Sequence, residues 1–226
     1  PGEPTFAPGA LSTHYELFNS RLSIADDDWK FSLSSYNLVS AGLGSGGAEV
    51  LDPIGRDKAN AFKAHYSKLF NDSISDWRFR LDISAGINDQ NPRFVLWPSN
   101  TNLPFLPGTF PEGVIGQPST EDTIYTLELA SIYDGLKSHS MRISVGYEYQ
   151  KIETSEVKNF DFFGGITAGT LTDVTGTNLI FLENQTREVH FVSLQDEWQL
   201  ANDWALTVGL RFDDYNDFGS TINPRL

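Results

Sequence analysis

An Asp-Trp pair occurs three times in this chain, and each time it opens a run in which apolar and polar residues alternate. The pairs are Asp28-Trp29, Asp76-Trp77 and Asp203-Trp204. Alternation with a period of two indicates a β-strand, because successive side chains of a strand point to opposite faces of its sheet. Tryptophan at the same end of successive strands is typical of a membrane–water interface, where the ring is apolar and its N–H needs water. We therefore expect strands with one apolar face directed at lipid.

Alternating runs predict eight strands, and the connections between them alternate strictly between short and long. Helical periodicity is weak throughout; residues 57–70 come nearest to it, and their length and pattern favour a strand. In an up-and-down meander this places every short turn at one end and every long loop at the other, as in bacterial outer-membrane barrels. The predicted strands are Tyr15–Ile24, Trp29–Leu38, Lys58–Phe70, Trp77–Ile87, Thr123–Tyr133, Ser140–Gln150, Glu188–Leu200 and Trp204–Tyr215, and the long connections are Val39–Asp57, Asn88–Asp122 and Lys151–Arg187.

The two faces of most predicted strands can be read from residue parity. Arg78, Arg80 and Arg142 fall on the polar face; on the lipid face at mid-bilayer an arginine would cost roughly 2–4 kcal/mol. The seventh strand is irregular, because Val189 and Phe191 differ in parity from the apolar residues that follow them. A β-bulge near Phe191 or a displaced strand boundary would explain this. The apolar faces of the fourth and sixth strands are Phe79, Leu81, Ile83, Ala85 and Ile87, and Met141, Ile143, Val145, Tyr147 and Tyr149.

Alternation alone does not distinguish a membrane barrel from a soluble β-sandwich, since both have one apolar and one polar face. Several runs here match the length of a tilted spanning strand, about 9–11 residues, and exceed the globular average of about 5–6. Strand length, tryptophan positions and loop asymmetry together favour the barrel. The predicted fold class is all-β: an antiparallel up-and-down meander of about eight strands that forms part of a transmembrane β-barrel.

Composition excludes several classes of protein. The formal charge of −14 and pI of about 4.5 provide no basic surface for nucleic acid. Cysteine is absent, which excludes disulfides and cysteine-bound metal, and the longest apolar runs are only four residues, against about 20 in a membrane-spanning helix. The chain opens on Pro1-Gly2-Glu3-Pro4, without a leader-like segment, and closes on residues 222–226, where we expect a polar loop that leads into another strand. We expect an excised piece of a longer protein.

The end of the chain resembles a hairpin of the TonB-dependent outer-membrane receptors. That hairpin runs aromatic, Gln-Asp-Glu-Trp, turn, Leu-Thr-x-Gly-x-Arg-aromatic-Asp, and leads to an Asn-Pro-Arg segment. The earlier hairpins are similar in style, including Leu51-Asp52-Pro53-Ile54-Gly55 in the first long loop. The matching residues are Phe191-Val192-Ser193-Leu194-Gln195-Asp196-Glu197-Trp198-Gln199-Leu200, then Asp203-Trp204-Ala205-Leu206-Thr207-Val208-Gly209-Leu210-Arg211-Phe212-Asp213, then Asn223-Pro224-Arg225.

The resemblance implies a fold, a function and partners. Receptors of this family are barrels of about 22 strands with a plugged lumen, and they import scarce ligands, typically ferric siderophores, haem, cobalamin or some carbohydrates. No plug is recognisable here, so we expect one partial barrel domain over residues 1–226 that is not an enzyme. The expected partners are outer-membrane lipid, a siderophore-like ligand, and the TonB complex through the plug of the parent protein. The expected location is the bacterial outer membrane.

The sequence predicts no catalytic, cofactor or metal site. The four histidines lack metal-ligand spacing, and Gly42–Gly47 lacks the Lys-Ser/Thr ending of a phosphate loop, which favours a flexible loop. The three acids Asp26–Asp28 are consistent with Ca²⁺ binding, but a solvated turn is the preferred interpretation. Asp213-Asp214 has no sign of acid–base pairing. The histidines are His14, His65, His139 and His190.

The segment Pro92–Pro118 is the most informative loop, because it holds four large aromatic side chains among six prolines. It could fold over the barrel mouth and contact a ligand, or pack its aromatics on the rim and on neighbouring loops, and we favour the packing. Arg80 and Arg142 face the lumen, where an anionic ligand, plug carboxylates or water would meet them. The ligand-binding residues stay unidentified at this level. The aromatics are Phe94, Trp97, Phe105 and Phe110.

Two other functions are compatible with the pattern. A free-standing eight-stranded outer-membrane barrel requires its first and last strands to pair, and residues 216–226 give no sign of such pairing. A soluble, secreted β-sandwich would bind carbohydrate through the aromatics of Pro92–Pro118, with Trp97 as the residue to test.

Overall fold

The computed structural model of the protein describes residues 8–44, 51–71 and 76–225, and the regular structure of these residues is all β. Each predicted strand is present, including the segment 57–70, and most strands continue further towards the long loops than the alternation indicated. The predicted fold class is confirmed. The strands are β1 (Tyr15–Ala25), β2 (Trp29–Gly42), β3 (Arg56–Asn71), β4 (Trp77–Gln90), β5 (Phe94–Trp97), β6 (Val114–Tyr133), β7 (His139–Lys158), β8 (Thr172–Asp173), β9 (Gln185–Ala201), β10 (Trp204–Tyr215) and β11 (Gly219–Arg225).

All the strands belong to one antiparallel sheet. Its order is β1-β2-β3-β4-β6-β7-β9-β10-β11, with β5 beside β6 and β8 beside β7, so the chain is an up-and-down meander and not a two-sheet sandwich. Within the described residues β1 and β11 each pair on one side only, and they form two open edges. In the same ranges there is no helix long and apolar enough to cross a bilayer.

The chain end differs from the prediction. The segment expected to be a polar loop lies in β11 as far as residue 225, and Ile222 pairs directly with Phe212 of β10. Pro224 has no backbone N–H, and an edge strand tolerates it because only one side of such a strand carries a hydrogen-bond ladder. The link between β10 and β11 is short although it lies at the long-loop end. The strict alternation of short and long connections therefore stops at this link.

The two longest strands extend well beyond the rest of the sheet at its long-loop end. β6 and β7 have 20 residues each, a length of about 66 Å at ~3.3 Å per residue, roughly twice the hydrocarbon thickness of a bilayer. Beyond β4 the strand β6 pairs with β5, and beyond β9 the strand β7 pairs with β8. The result is a four-stranded extension, β5-β6-β7-β8, that carries the second and third long loops.

One face of the sheet is apolar across its strands. On β6 this face runs from Tyr133 to Tyr125, about nine residues, which is the span of a tilted membrane strand. Aromatic rings mark both limits: Trp77 packs on Tyr133 at 4.6 Å, and Tyr149 packs on Tyr125 at 6.0 Å. The Asp-Trp pairs all open strands at the short-turn end, as predicted. One row of paired residues on this face is Leu81, Leu129, Val145, Val192, Phe212 and Ile222.

The irregular parity of β9 has a different cause from the one expected. The register of β9 with β7 is continuous, and its register with β10 shifts only near Trp204, so there is no bulge at Phe191. Val192 and Leu194 lie on the apolar face and are about half exposed. Val189 and Phe191 are buried on the polar face, at 4% and 5% exposure. Phe191 is thus an apolar side chain among charged ones. Residue parity therefore assigned Val189 and Phe191 to the correct face of the sheet.

Candidate ligand-contact site

The polar face of the sheet carries a chain of ion pairs. Arg80 pairs with Asp82 (Nε–Oδ2, 2.7 Å), and His65 lies 3.4 Å from the same carboxylate. Arg142 reaches across to Glu128 on the neighbouring strand at 2.7 Å. The two arginines predicted to face the lumen lie on this polar face, and both are paired with carboxylates of the sheet itself. Their charge is balanced before any ligand arrives.

A second part of this face is built around a glycine. The ring of Phe191 lies on Gly146, its direct cross-strand neighbour, so closely that a Cβ at Gly146 would be 2.2 Å from the ring. The guanidinium of Arg211 covers the ring, with its Cζ 3.7 Å from the ring centroid. Arg211 then pairs with Glu148 at 2.9 Å and with the buried Asp213 at 2.6 Å. The stack joins β7, β9 and β10 through side chains as well as through the backbone.

Two buried polar side chains hold the long loops together. Asp52 of the first loop accepts hydrogen bonds from the N–H groups of Gly55 (2.6 Å) and Val95 (2.7 Å), and Val95 belongs to the second loop. Asn159 of the third loop accepts from the N–H of Ile115 and donates to the carbonyl of Gly113, both at 2.8 Å. Each side chain is at most 1% exposed. Buried polar groups need such partners, so the loops form one connected layer.

The Pro92–Pro118 loop has its own small core. Leu103, Leu106, Phe110 and Val114 are buried together, and Trp97, Phe160 and Ala168 pack against them. Phe105 contacts Trp97 edge-on at 5.6 Å. Part of the loop thus packs on itself and on the third long loop. Phe94 and Trp97 have a second role, because both also border a cavity.

This cavity lies between the second and third long loops and has a volume of about 510 Å³. Six of the fifteen residues that line it are aromatic. Its floor includes Gly116 and Pro118 of β6 and Glu156 and Lys158 of β7. Lys158 and Glu156 form an ion pair (3.2 Å), and both side chains are almost fully buried. The aromatic residues of the wall are Phe94, Trp97, Phe160, Phe162, Phe163 and Phe181.

Asp161 organises the turn that carries two of these rings. Its Oδ2 accepts hydrogen bonds from the N–H groups of Gly165 (2.8 Å) and Phe163 (3.1 Å). The bond from Gly165 is the largest influence on the pKa of this carboxyl, which lies below its ordinary value despite some burial. A carboxylate that accepts two backbone N–H bonds is stabilised in its ionised form.

Replacing this carboxylate should loosen the turn in a pH-dependent way. The folded-state pKa is lowered, so the stabilisation is fully present above the ordinary pKa of about 4 and is lost as the pH falls through the lowered value. At neutral pH, Asp161→Asn should reduce the hydrogen-exchange protection factors of the Phe163 and Gly165 amides, and the two proteins should converge as the pH falls below the lowered pKa. Asp203→Asn, in a turn at the opposite end, is the control. Equal protection at neutral pH would contradict this role.

The residues considered as sites from sequence are dispersed. Asp26 accepts from the N–H of Asp27, and Asp28 lies 3.8 Å from Lys68. Residues 45–47 of the glycine-rich stretch lie outside the described ranges. In residues 8–44, 51–71 and 76–225 no three His, Asp or Glu side chains converge as metal ligands. The histidines bond or stack separately: His14 with Ser12 and Ser40, His65 with Asp82, His139 with Asp196, and His190 with Tyr147.

Sequence reasoning missed the third long loop as a source of site residues. The aromatic group Phe160-x-Phe162-Phe163 was visible in the sequence and was the available signal. The buried pair of Glu156 and Lys158 gave no such signal, because its burial depends on loops that are distant in the sequence.

An antiparallel meander with an apolar outer face, aromatic limits and a charged inner face defines the wall of an outer-membrane β-barrel. The chain belongs to the family described as TonB dependent receptor-like, beta-barrel, which it matches over residues 7–226. None of the curated proteins and none of the solved structures matches it. The family is one of receptors that serve transport across the bacterial outer membrane, in contact with its lipid and with TonB, and it is not a class of enzymes.

Proposed function

We propose that this chain is part of the barrel wall of a TonB-powered importer and that its ligand, a ferric siderophore, first binds at the loop cavity. The observation that carries the proposal is that the cavity and the charged inner face lie on the same side of β6 and β7. A ligand held by the loops would then stand at the entrance of the path that import requires. The cavity volume falls in the range of small-molecule sites, about 300–1,000 Å³.

The shared face follows from an unbroken strand register. Pro118 pairs with Glu156 at the cavity floor, and Thr126 pairs with Glu148 beside the Arg211 stack. No register shift occurs between these pairs, and the positions differ by an even number of residues, so all four side chains face the same way. The two sites are about 27 Å apart along the strands at ~3.4 Å per residue.

The two open edges support a wider barrel. In the part of the chain that the structure describes, β1 and β11 each carry one unpaired side. Unpaired edges in a membrane have no water to satisfy their backbone groups. We propose that residues 1–226 form a single barrel-wall domain, that further strands pair with both edges, and that a plug in the lumen is the part that meets TonB. The closed eight-stranded barrel is less well supported, because β1 and β11 do not pair within the described residues.

Iron uptake tests the function. The intact protein would be produced in a Gram-negative host that lacks its own siderophore receptors, with and without TonB. ⁵⁵Fe complexes of a hydroxamate, a catecholate and a carboxylate siderophore serve as probes. We expect uptake of at least one complex, lost when TonB is deleted. If the folded protein is present in the outer membrane and all three complexes stay outside, or if uptake is unchanged without TonB, the proposal is wrong.

A further inference from the structure

The loop cavity also indicates what part of a ligand it would take. We propose that it binds an uncharged aromatic ring of the ligand and discriminates against anionic groups. This rests on the proposed function for its biological meaning, and it deepens that proposal by naming the chemistry of the bound group. Three features of the cavity support it: neutralised charge, exposed rings in its lining, and an acidic surrounding.

Among the described residues that line the cavity, Lys158 is the one cation, and its charge is already balanced by a neighbouring carboxylate. Lys158 is paired with Glu156 at 3.2 Å, and its ammonium also donates to the carbonyl of Leu179. The carboxylate of Glu156 in turn accepts from the N–H of Phe181. Both side chains are less than 10% exposed. A buried pair with its hydrogen bonds already made has little remaining attraction for an anion.

Two of the rings that line the cavity are unusually exposed. Phe163 is 95% exposed and Phe181 is 76% exposed, although Phe160 and Phe162 are close by and pack edge-on at 5.6 Å. A grouped, exposed apolar surface is typical of a binding site. Aromatic pairs favour stacked or edge-on contacts, so a ring entering the cavity would gain partners that water does not provide.

The surroundings disfavour negative charge. Asp161 lies in the cavity wall with its pKa lowered, so it is ionised at neutral pH. The chain as a whole carries a formal charge of −14, and a field of one sign repels ions of that sign. An uncharged ring avoids this repulsion, while a carboxylate or sulfonate of similar size does not.

Two matched probes test the proposal on the intact protein in lipid nanodiscs. They are 4-fluorobenzyl alcohol and 4-fluorophenylacetate, titrated by ¹⁹F NMR with protein-free nanodiscs as background. We expect the alcohol to bind saturably and about tenfold more tightly than the acetate, a difference of about 1.4 kcal/mol. The double variant Phe163→Ala/Phe181→Ala should bind the alcohol roughly tenfold more weakly. Phe218→Ala, an exposed ring outside the cavity, should leave it unchanged.

A gain-of-binding variant makes the test independent of any loss of folding. Glu156→Gln keeps the shape and the acceptor for the Phe181 amide but removes the charge that neutralises Lys158. We expect the acetate to bind about tenfold more tightly to this variant than to the unmodified protein. The proposal is overturned if the acetate binds the unmodified protein as tightly as the alcohol does, or if the double variant binds the alcohol normally.

These outcomes separate the inference from the proposed function. Binding of the alcohol without uptake of any ferric complex would leave the ring site intact and remove the import proposal. TonB-dependent uptake that is unaffected by Phe163→Ala/Phe181→Ala, together with no binding of the alcohol, would remove the ring site alone.

Discussion

Gly146→Ala is expected to destabilise the protein by about 3 kcal/mol. The new Cβ would lie 2.2 Å from the Phe191 ring and 2.7 Å from the carbonyl oxygen of Leu127. The oxygen is backbone and cannot turn away. The Phe191 ring cannot move away from Gly146 either, because the Arg211 guanidinium covers its other side at 3.7 Å and is itself held by two carboxylates. Urea unfolding in lipid vesicles, followed by tryptophan fluorescence, measures the loss.

A matched glycine and a double variant show whether the ring is the cause. Gly86 lies on the same face, and a Cβ there would come no closer than 3.3 Å to any atom, so Gly86→Ala should cost less than about 1 kcal/mol. In the double variant Gly146→Ala/Phe191→Ala the ring contact is absent. Its loss of unfolding free energy should be smaller, by more than about 1 kcal/mol, than the sum of the losses in the single variants Gly146→Ala and Phe191→Ala. Equal losses for the two glycine variants would show that Phe191 does not depend on Gly146.

The sheet could be predicted because its pattern is local. Each main strand repeats a period of two over about ten residues, and the parity of Leu129 or Val192 assigns the face without knowledge of the neighbours. Residue parity also assigned the faces of β9 correctly, and the β-bulge that was considered near Phe191 is absent. Phe191 looked misplaced only because the sequence does not show that Gly146 leaves room for a ring on the charged face.

The remaining parts depend on partners that are distant in the sequence. β5 and β8 are short and lack alternation. They form because β6 extends beyond the end of β4 and β7 extends beyond the end of β9, which leaves backbone groups of β6 and β7 to pair with them. β11 contains Pro224, which argues against a central strand and is tolerated at an edge. The cavity combines residues 94–97, 156–163 and 178–181, and the side chains that align these segments, Asp52 and Asn159, bond to backbone groups, which leave no signature in sequence.

Leu129→Arg is expected to give the second large effect and to test whether the apolar face meets lipid. Leu129 lies midway between the aromatic limits of β6, paired with Leu81 and Val145, and is about half exposed. An arginine at mid-bilayer costs roughly 2–4 kcal/mol, because its charge must stay in hydrocarbon or draw water and headgroups inward. The unfolding free energy in vesicles should fall by that amount.

The control is Thr126→Arg, three residues earlier on the same strand and on the opposite face. Thr126 pairs in register with Glu148, so a new guanidinium there would meet water and a carboxylate, and the cost should stay below about 1 kcal/mol. The contrast between the two variants is the signature of a membrane, since the same arginine is tolerated or rejected only according to the face it occupies. If Leu129→Arg is as mild as Thr126→Arg in vesicles, then lipid does not cover this face. The apolar row from Leu81 to Ile222 would in that case have to be buried against protein, by a second sheet or another chain, and the outer-membrane location would be wrong for this chain.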